Sequence, residues 1–176
     1  MVNNMVDYED PNTWTKEYVI SHNEECLEFI REANQLVIRY TQQKNYRAAL
    51  AGLDRILNGL ITMQNSKQRD YRSFISMFSL AEAIVVYHAA PMAPNEAAAV
   101  NVSINLLEDA RDFATKRDTK QNIEDTIRQI KTGHPRDPQE LREAMWILDQ
   151  MDHELAALMK NPKRLKTQYN PDAFGS

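Results

Sequence analysis

Glu25 and Glu28 are the residues of this chain whose type and spacing come closest to a catalytic pattern. They lie three positions apart in the stretch EECLE, so on a helix both carboxylates fall on one face, about one turn apart. Paired carboxylates at this spacing can hold Mg²⁺, which takes carboxylate oxygens together with the phosphates of a substrate. The pair therefore indicates one candidate chemistry, a metal-dependent reaction at a nucleotide phosphate.

The stretch EECLE resembles the first half of the motif of the all-α nucleoside triphosphate pyrophosphatases. That family carries a second acidic pair soon afterwards, on the next helix, and the resemblance implies Mg²⁺-dependent pyrophosphohydrolysis. Here the segment 44–64 offers only Asp54, and the lysines and asparagines usual in the family are not evident. The other interpretation is that these glutamates are a solvated flank of the first helix. If the enzymatic alternative holds, the metal ligands are Glu25, Glu28, Asp109 and Asp112.

Other catalytic and metal-binding patterns are incomplete. His22 and Cys26 are four positions apart and could share a metal ion, but two ligands do not make a site. Because Cys26 falls on the apolar face of its helix, we predict that it is a small core residue. No histidine has a glutamate three positions before it, which excludes the di-iron bundle motif. With no glycine-rich phosphate loop or nucleophile elbow either, we predict no catalytic residue, no metal and no cofactor.

The end of the chain combines cations with aromatic residues. Its basic run could contact phosphate or an acidic partner, although cations also suit the negative end of a helix dipole. The aromatic residues beyond the run give this tail the capacity to dock in a groove, on this chain or on a partner. The predicted partner-binding residues are Lys163, Arg164, Lys166, Tyr169 and Phe174.

Composition excludes several classes of protein. The chain has 176 residues and a net charge of −4, which does not favour general nucleic-acid binding because that requires clustered Lys and Arg. A single cysteine, Cys26, rules out an intramolecular disulfide, and the first residues have no basic flank or apolar core of a signal peptide. The most apolar stretch, Phe74 to Ala93, is interrupted by Glu82 and His88, so we predict a buried helix and no membrane span. We expect a cytoplasmic protein.

Apolar residues recur at helical spacing along most of the chain. Short connections make neighbouring helices antiparallel, so the pattern predicts an all-α protein of about six helices. The first predicted helix runs to about Gln43 and holds a weak point around ISHNEE. The domain prediction is a loose segment over 1–11, a single helical domain over 12–160 and a basic, aromatic tail over 161–176. The residues expected at helix starts are Asn45, Asn65 or Ser66, Pro94, Asp118 with Gln121, and Asp137 with Pro138.

Residues 33–60 resemble one tetratricopeptide unit, a pair of helices with an aromatic ending the first and a small residue deep in the second. Tyr40, Tyr46 and Ala49 carry the resemblance. Val37 stands where the family has a small residue, and Lys44 replaces the glycine of the turn. No second copy follows one period of about 34 residues later. The fold is therefore predicted as an antiparallel helical bundle or a short tetratricopeptide-like solenoid.

Incomplete catalytic patterns and abundant apolar helix faces favour a non-enzymatic module for protein–protein interaction, such as an adaptor, an assembly factor or a chaperone-like protein. The third predicted helix, which contains the apolar stretch Phe74 to Ala93, is nearly apolar around its whole surface over its second half. This surface predicts either full burial or contact with a second copy in a homo-oligomer. Two alternatives stay open. One is the Mg²⁺-dependent pyrophosphohydrolase, and the other is a nucleic-acid-associated protein acting through the basic tail.

Overall fold

The computed structural model describes residues 5–160, and within this range the chain is an all-α bundle. The prediction of an all-α helical fold is therefore confirmed, with seven α-helices in place of about six. The α-helices are α1 Lys16–Ser21, α2 Asn23–Gln42, α3 Tyr46–Asn65, α4 Arg72–Ala89, α5 Glu96–Phe113, α6 Arg117–Lys131 and α7 Pro138–Lys160. Two short 3₁₀ helices, Pro11–Thr13 and Ala90–Met92, precede α1 and follow α4.

Helix α4 is the centre of the bundle, as its apolar sequence predicts. It packs against α3, α5 and α7, and ten of its residues are buried. In the described part of the chain, Arg72–Met92 is the one helical stretch long and apolar enough to cross a membrane, and most of it is buried inside the protein. Two buried serines tie α4 to α5, because Ser76 donates to the carbonyl of Ala110 and Ser103 donates to that of Ala83, each at 2.7 Å.

Helix boundaries follow the predicted signals in some places and depart from them in others. The weak point near ISHNEE is a real break, since α1 ends at Ser21 and α2 begins at Asn23. Helix α7 begins at the predicted start, Asp137 with Pro138. Asp137 accepts from the Gln139 N–H at 2.9 Å and donates its own N–H to Glu140 at 3.0 Å.

Three predicted helix starts are wrong. Asn65 and Ser66 do not cap the next helix, because α3 extends through Asn65 and α4 starts only at Arg72. Pro94 precedes α5, which is capped by Asn95 accepting from the Ala98 N–H at 3.0 Å. The predicted box at Asp118 lies inside α6, which begins at Arg117 without a side-chain cap.

Helices α2 and α3 form the predicted helical hairpin. Lys44 has a φ of 59°, and the Asn45 N–H reaches back to the Tyr40 carbonyl at 2.8 Å, so the lysine takes a position that glycine usually fills. The close approach of the two helices depends on Gly52, because a Cβ there would lie 2.6 Å from Cγ2 of Val37. The small residue that permits the crossing is thus Gly52, directly opposite the valine.

The chain before α1 is folded against the bundle. The Asp7 N–H donates to Oγ1 of Thr13 at 2.8 Å, and Pro11 is buried. The Trp14 ring is also buried and lies on α3 at Gly59, where a Cβ would be only 2.8 Å from the indole. Residues 5–11 therefore include a turn and the buried Pro11.

Helices α2 and α7 pack antiparallel through a polar contact. Asn34 of α2 donates to the Leu148 carbonyl at 2.7 Å, and Nε of Arg31 pairs with Asp152 at 3.0 Å. The two helices therefore run in opposite directions, so residue numbers fall along α2 where they rise along α7. The C-terminal end of α7 consequently lies beside the first turns of α2.

Candidate functional site: an acidic and aromatic hollow

A hollow of about 390 Å³ opens at the beginning of α2, between that helix, α1 and the segment that precedes α1. It includes both glutamates that the sequence analysis singles out. We refer to it as the acidic hollow, and its lining residues are Tyr8, Tyr18, Glu25, Glu28, Phe29 and Glu32.

One wall of the acidic hollow is a row of carboxylates. Glu25, Glu28 and Glu32 follow one another at helical spacing on α2, and all three are exposed. Among residues 5–160, none of the three takes part in an ion pair. Burial raises the pKa of the Tyr18 hydroxyl, and neighbouring acidic groups, Glu25 among them, raise it further. The electrostatic potential in the hollow is therefore negative, which favours the binding of a cation.

An aromatic wall lies beside the row of carboxylates in the same hollow. The rings of Tyr8 and Phe29 meet edge to face with centroids 6.4 Å apart, and Trp14 supports Phe29 from behind at 5.7 Å. The negative face of an aromatic ring attracts an ammonium or guanidinium group. Carboxylates and rings in one hollow suit an organic cation better than Mg²⁺, because Mg²⁺ requires a near-octahedral set of oxygen ligands.

His22 and Cys26 do not form a shared site. Cys26 is 1% exposed, and burial raises the pKa of its thiol to about 12, so it remains protonated and unreactive at neutral pH. The prediction that Cys26 is a small core residue is confirmed. His22 is exposed at the break between α1 and α2, where its ring stacks on Tyr18 with centroids 4.4 Å apart.

The second acidic pair of the enzymatic alternative lies elsewhere. Asp109 and Asp112 are on α5, which packs against α4 and α6, whereas α2 packs against α1, α3 and α7. The structure thus does not bring the two pairs together. Across residues 5–160, no cluster of three or more His, Cys, Asp or Glu side chains is placed to hold a metal ion.

The predicted partner-binding residues of the tail lie outside the described part of the chain, which ends at Lys160. The residues concerned are Lys163, Arg164, Lys166, Tyr169 and Phe174.

Two candidate functional features are not predicted from the sequence. The aromatic wall is one, because Tyr8 reaches Phe29 only through the turn before α1. The other is Trp146, 62% exposed at the rim of a cleft of about 270 Å³ formed by α4, α7 and the α5–α6 connection. The sequence does contain a signal for this exposed tryptophan, because Trp146 lies outside the helically spaced apolar residues that predict the buried face of α7. Exposed tryptophans are enriched in protein–protein contact sites.

Comparison of this chain with known protein families and curated proteins, and of its fold with solved structures, finds no significant match. The class of the protein is therefore defined by its own geometry, an all-α bundle with an acidic and aromatic hollow at the start of α2.

Proposed function

We propose that this protein is a non-enzymatic helical interaction module, such as an adaptor or assembly factor, that binds a basic segment of a partner protein in the acidic hollow. One observation supports this most directly. Three carboxylates on one face of α2 open into the same hollow as three aromatic rings, and within residues 5–160 no cation neutralises them.

Charge and shape both favour a basic partner in the acidic hollow. Three glutamates within two turns repel one another, and a lysine or arginine side chain placed among them relieves that repulsion. The aromatic faces add a cation–π attraction of about 0.5–2 kcal/mol. Charged walls of one sign also speed the encounter with a basic partner. Such binding weakens as salt is added, because screening acts on exposed charges.

The proposed partner is a different protein and not a second copy of this chain. The apolar surface of α4, which predicts either full burial or self-association, is covered by α3, α5 and α7 within one chain. Full burial thus accounts for that surface without a second copy. Homo-oligomer formation and a cytoplasmic location stay predictions, and light scattering at high concentration tests the first.

Binding of a short, fluorescently labelled peptide rich in lysine and arginine tests the proposed function. We expect the triple variant Glu25→Gln, Glu28→Gln and Glu32→Gln to bind it at least about tenfold more weakly, a difference of about 1.4 kcal/mol. The matched control carries the same charge change on exposed glutamates outside the hollow, namely Glu124→Gln, Glu143→Gln and Glu154→Gln.

Equal binding by the two triple variants would show that net charge, and not the hollow, attracts the peptide. The enzymatic alternative is examined with the same proteins by measuring pyrophosphate release from nucleotides with and without Mg²⁺. Turnover that requires both Mg²⁺ and Glu25 would overturn the non-enzymatic proposal.

A further inference from the structure

We infer that the basic segment 160–166 of this chain itself binds in the acidic hollow and competes there with a partner. This inference rests on the proposed function, because it assigns a regulatory ligand to the same site. It follows from the packing of α7 on α2, from the charges at the two places and from the distance between them.

The packing register brings the start of the basic segment to the beginning of α2, the helix on which the hollow opens. Arg31 pairs with Asp152 across the antiparallel α2–α7 contact. Lys160 lies eight residues beyond Asp152, about 12 Å further along α7 at 1.5 Å per residue. Moving the same distance along α2 from Arg31 reaches the level of Asn23, where α2 begins, about 3 Å before Glu25. The chain therefore leaves α7 beside the first turn of α2, close to the level of Glu25.

The two charge sets are complementary. Residues 160–166 contain four cations and no acidic residue. The hollow presents Glu25, Glu28 and Glu32, which have no ion-pair partner in the range 5–160. Glu25 and Glu32 lie on a different side of α2 from Arg31 and Asn34, so the segment must pass around part of that helix. An extended chain covers about 3.3 Å per residue, so the six residues that follow Lys160 span up to about 20 Å, more than half the circumference of a helix about 10–12 Å wide. The cations of the segment are Lys160, Lys163, Arg164 and Lys166.

The dipole of α7 offers a competing explanation for a basic run at this place. Cations near a helix C-terminus are stabilised by the exposed carbonyls, whichever residues surround them. The dipole explanation predicts that the lysines have no preference for the hollow over other acidic surfaces. An experiment that identifies the carboxylates in contact with these lysines therefore distinguishes the two explanations.

Zero-length carbodiimide coupling of the full chain, followed by mass spectrometry of the monomer, makes this measurement. We expect amide links from the lysines of the segment to Glu25, Glu28 or Glu32, and their loss in the triple Gln variant of the hollow. Glu124 and Glu143, both exposed on other helices, serve as internal controls. Links to these controls at the same frequency, or links formed only between two copies of the chain, would overturn the inference.

A binding measurement then tests competition. The variant Lys163→Glu, Arg164→Glu and Lys166→Glu should bind the labelled basic peptide several-fold more tightly than the unaltered chain. Equal affinity of the two proteins would overturn the inference while leaving the proposed function intact. If neither protein binds the peptide although the coupling to the hollow is observed, the segment is the occupant and the proposed partner function fails.

Discussion

At the scale of single residues, Glu82 is the most unusual ionisable group in the bundle. It interrupts the apolar sequence of α4, and its side chain is buried, with 4% of the residue exposed. Burial, together with the hydrogen bond and the charge of Asp54, raises the pKa of its carboxyl to about 9. Among the residues described, Oε1 of Glu82 finds no hydrogen-bond partner. The buried acid is therefore held in its neutral form near pH 7.

This arrangement predicts a stability that declines with pH. The unfolded chain loses the Glu82 proton near the ordinary pKa of 4.5, whereas the folded chain keeps it up to about 9. Between these values the folded state binds more protons, so the free energy of unfolding falls as pH rises. At pH 7 the loss is roughly 3 kcal/mol, taking about 1.4 kcal/mol for each pKa unit.

The substitution Glu82→Gln removes this dependence. We expect the variant to be more stable than the unaltered chain, by an amount that grows between pH 6 and pH 8.5, as measured by urea denaturation. The exposed substitution Glu124→Gln is the control, and it should change stability little at either pH. A constant difference between Glu82→Gln and the unaltered chain across this range would contradict the assigned ionisation.

At the scale of helices, the α2–α3 hairpin shows how one glycine sets a crossing. Val37 is buried and stands where the tetratricopeptide pattern has a small residue. Its Cγ2 atom occupies the space that a side chain at position 52 would need, so the valine and Gly52 are complementary in size. The sequence pattern predicts the hairpin and its turn, but the exchange of large and small residues between the two helices appears only when they are packed.

A double-mutant cycle tests this pairing. Gly52→Ala should gain about 1 kcal/mol in helix propensity. It should lose more than that, because the new Cβ forces the stiff, β-branched Val37 to move. We expect a net destabilisation of about 1–2 kcal/mol, with Val37→Ala in the same chain recovering part of it. Additive effects of the two substitutions on the free energy of unfolding would exclude a direct clash.

At the scale of the whole molecule, the two tryptophans have opposite roles. Trp14 is 6% exposed and joins the turn before α1 to α3 and to the aromatic wall, whereas Trp146 is 62% exposed on α7. The first therefore connects the N-terminal turn to the core, and the second offers an apolar surface beside a cleft.

The same substitution at both positions separates these roles. Trp14→Ala should cost about 3–5 kcal/mol of stability, because it empties a buried site. It should also weaken binding of the basic peptide, since Phe29 loses its support. Trp146→Ala should change stability by less than about 0.5 kcal/mol. Thermal unfolding of the two variants checks this, and similar losses of stability for both would contradict the assigned burial.

The sequence by itself determines the elements of this protein and part of its site. Helical spacing of apolar residues predicts the all-α fold and the central position of α4, while the hinge after Tyr40 and the start at Asp137 follow from turn and capping residues. Each of these signals involves only a few neighbouring positions, so it can be recognised in the sequence alone. The carboxylates Glu25 and Glu28 are found in the same way, from their spacing along one helix.

The tertiary structure alone decides what those carboxylates face. Tyr8 joins Phe29 because a turn brings the chain back onto α2, and the end of α7 lies beside the first turns of α2 because Asn34 and Asp152 set an antiparallel register. These contacts connect residues far apart in sequence and leave no periodic pattern in either segment. They depend on which helix surfaces pack together, and that choice is made by the shape and charge of the assembled bundle.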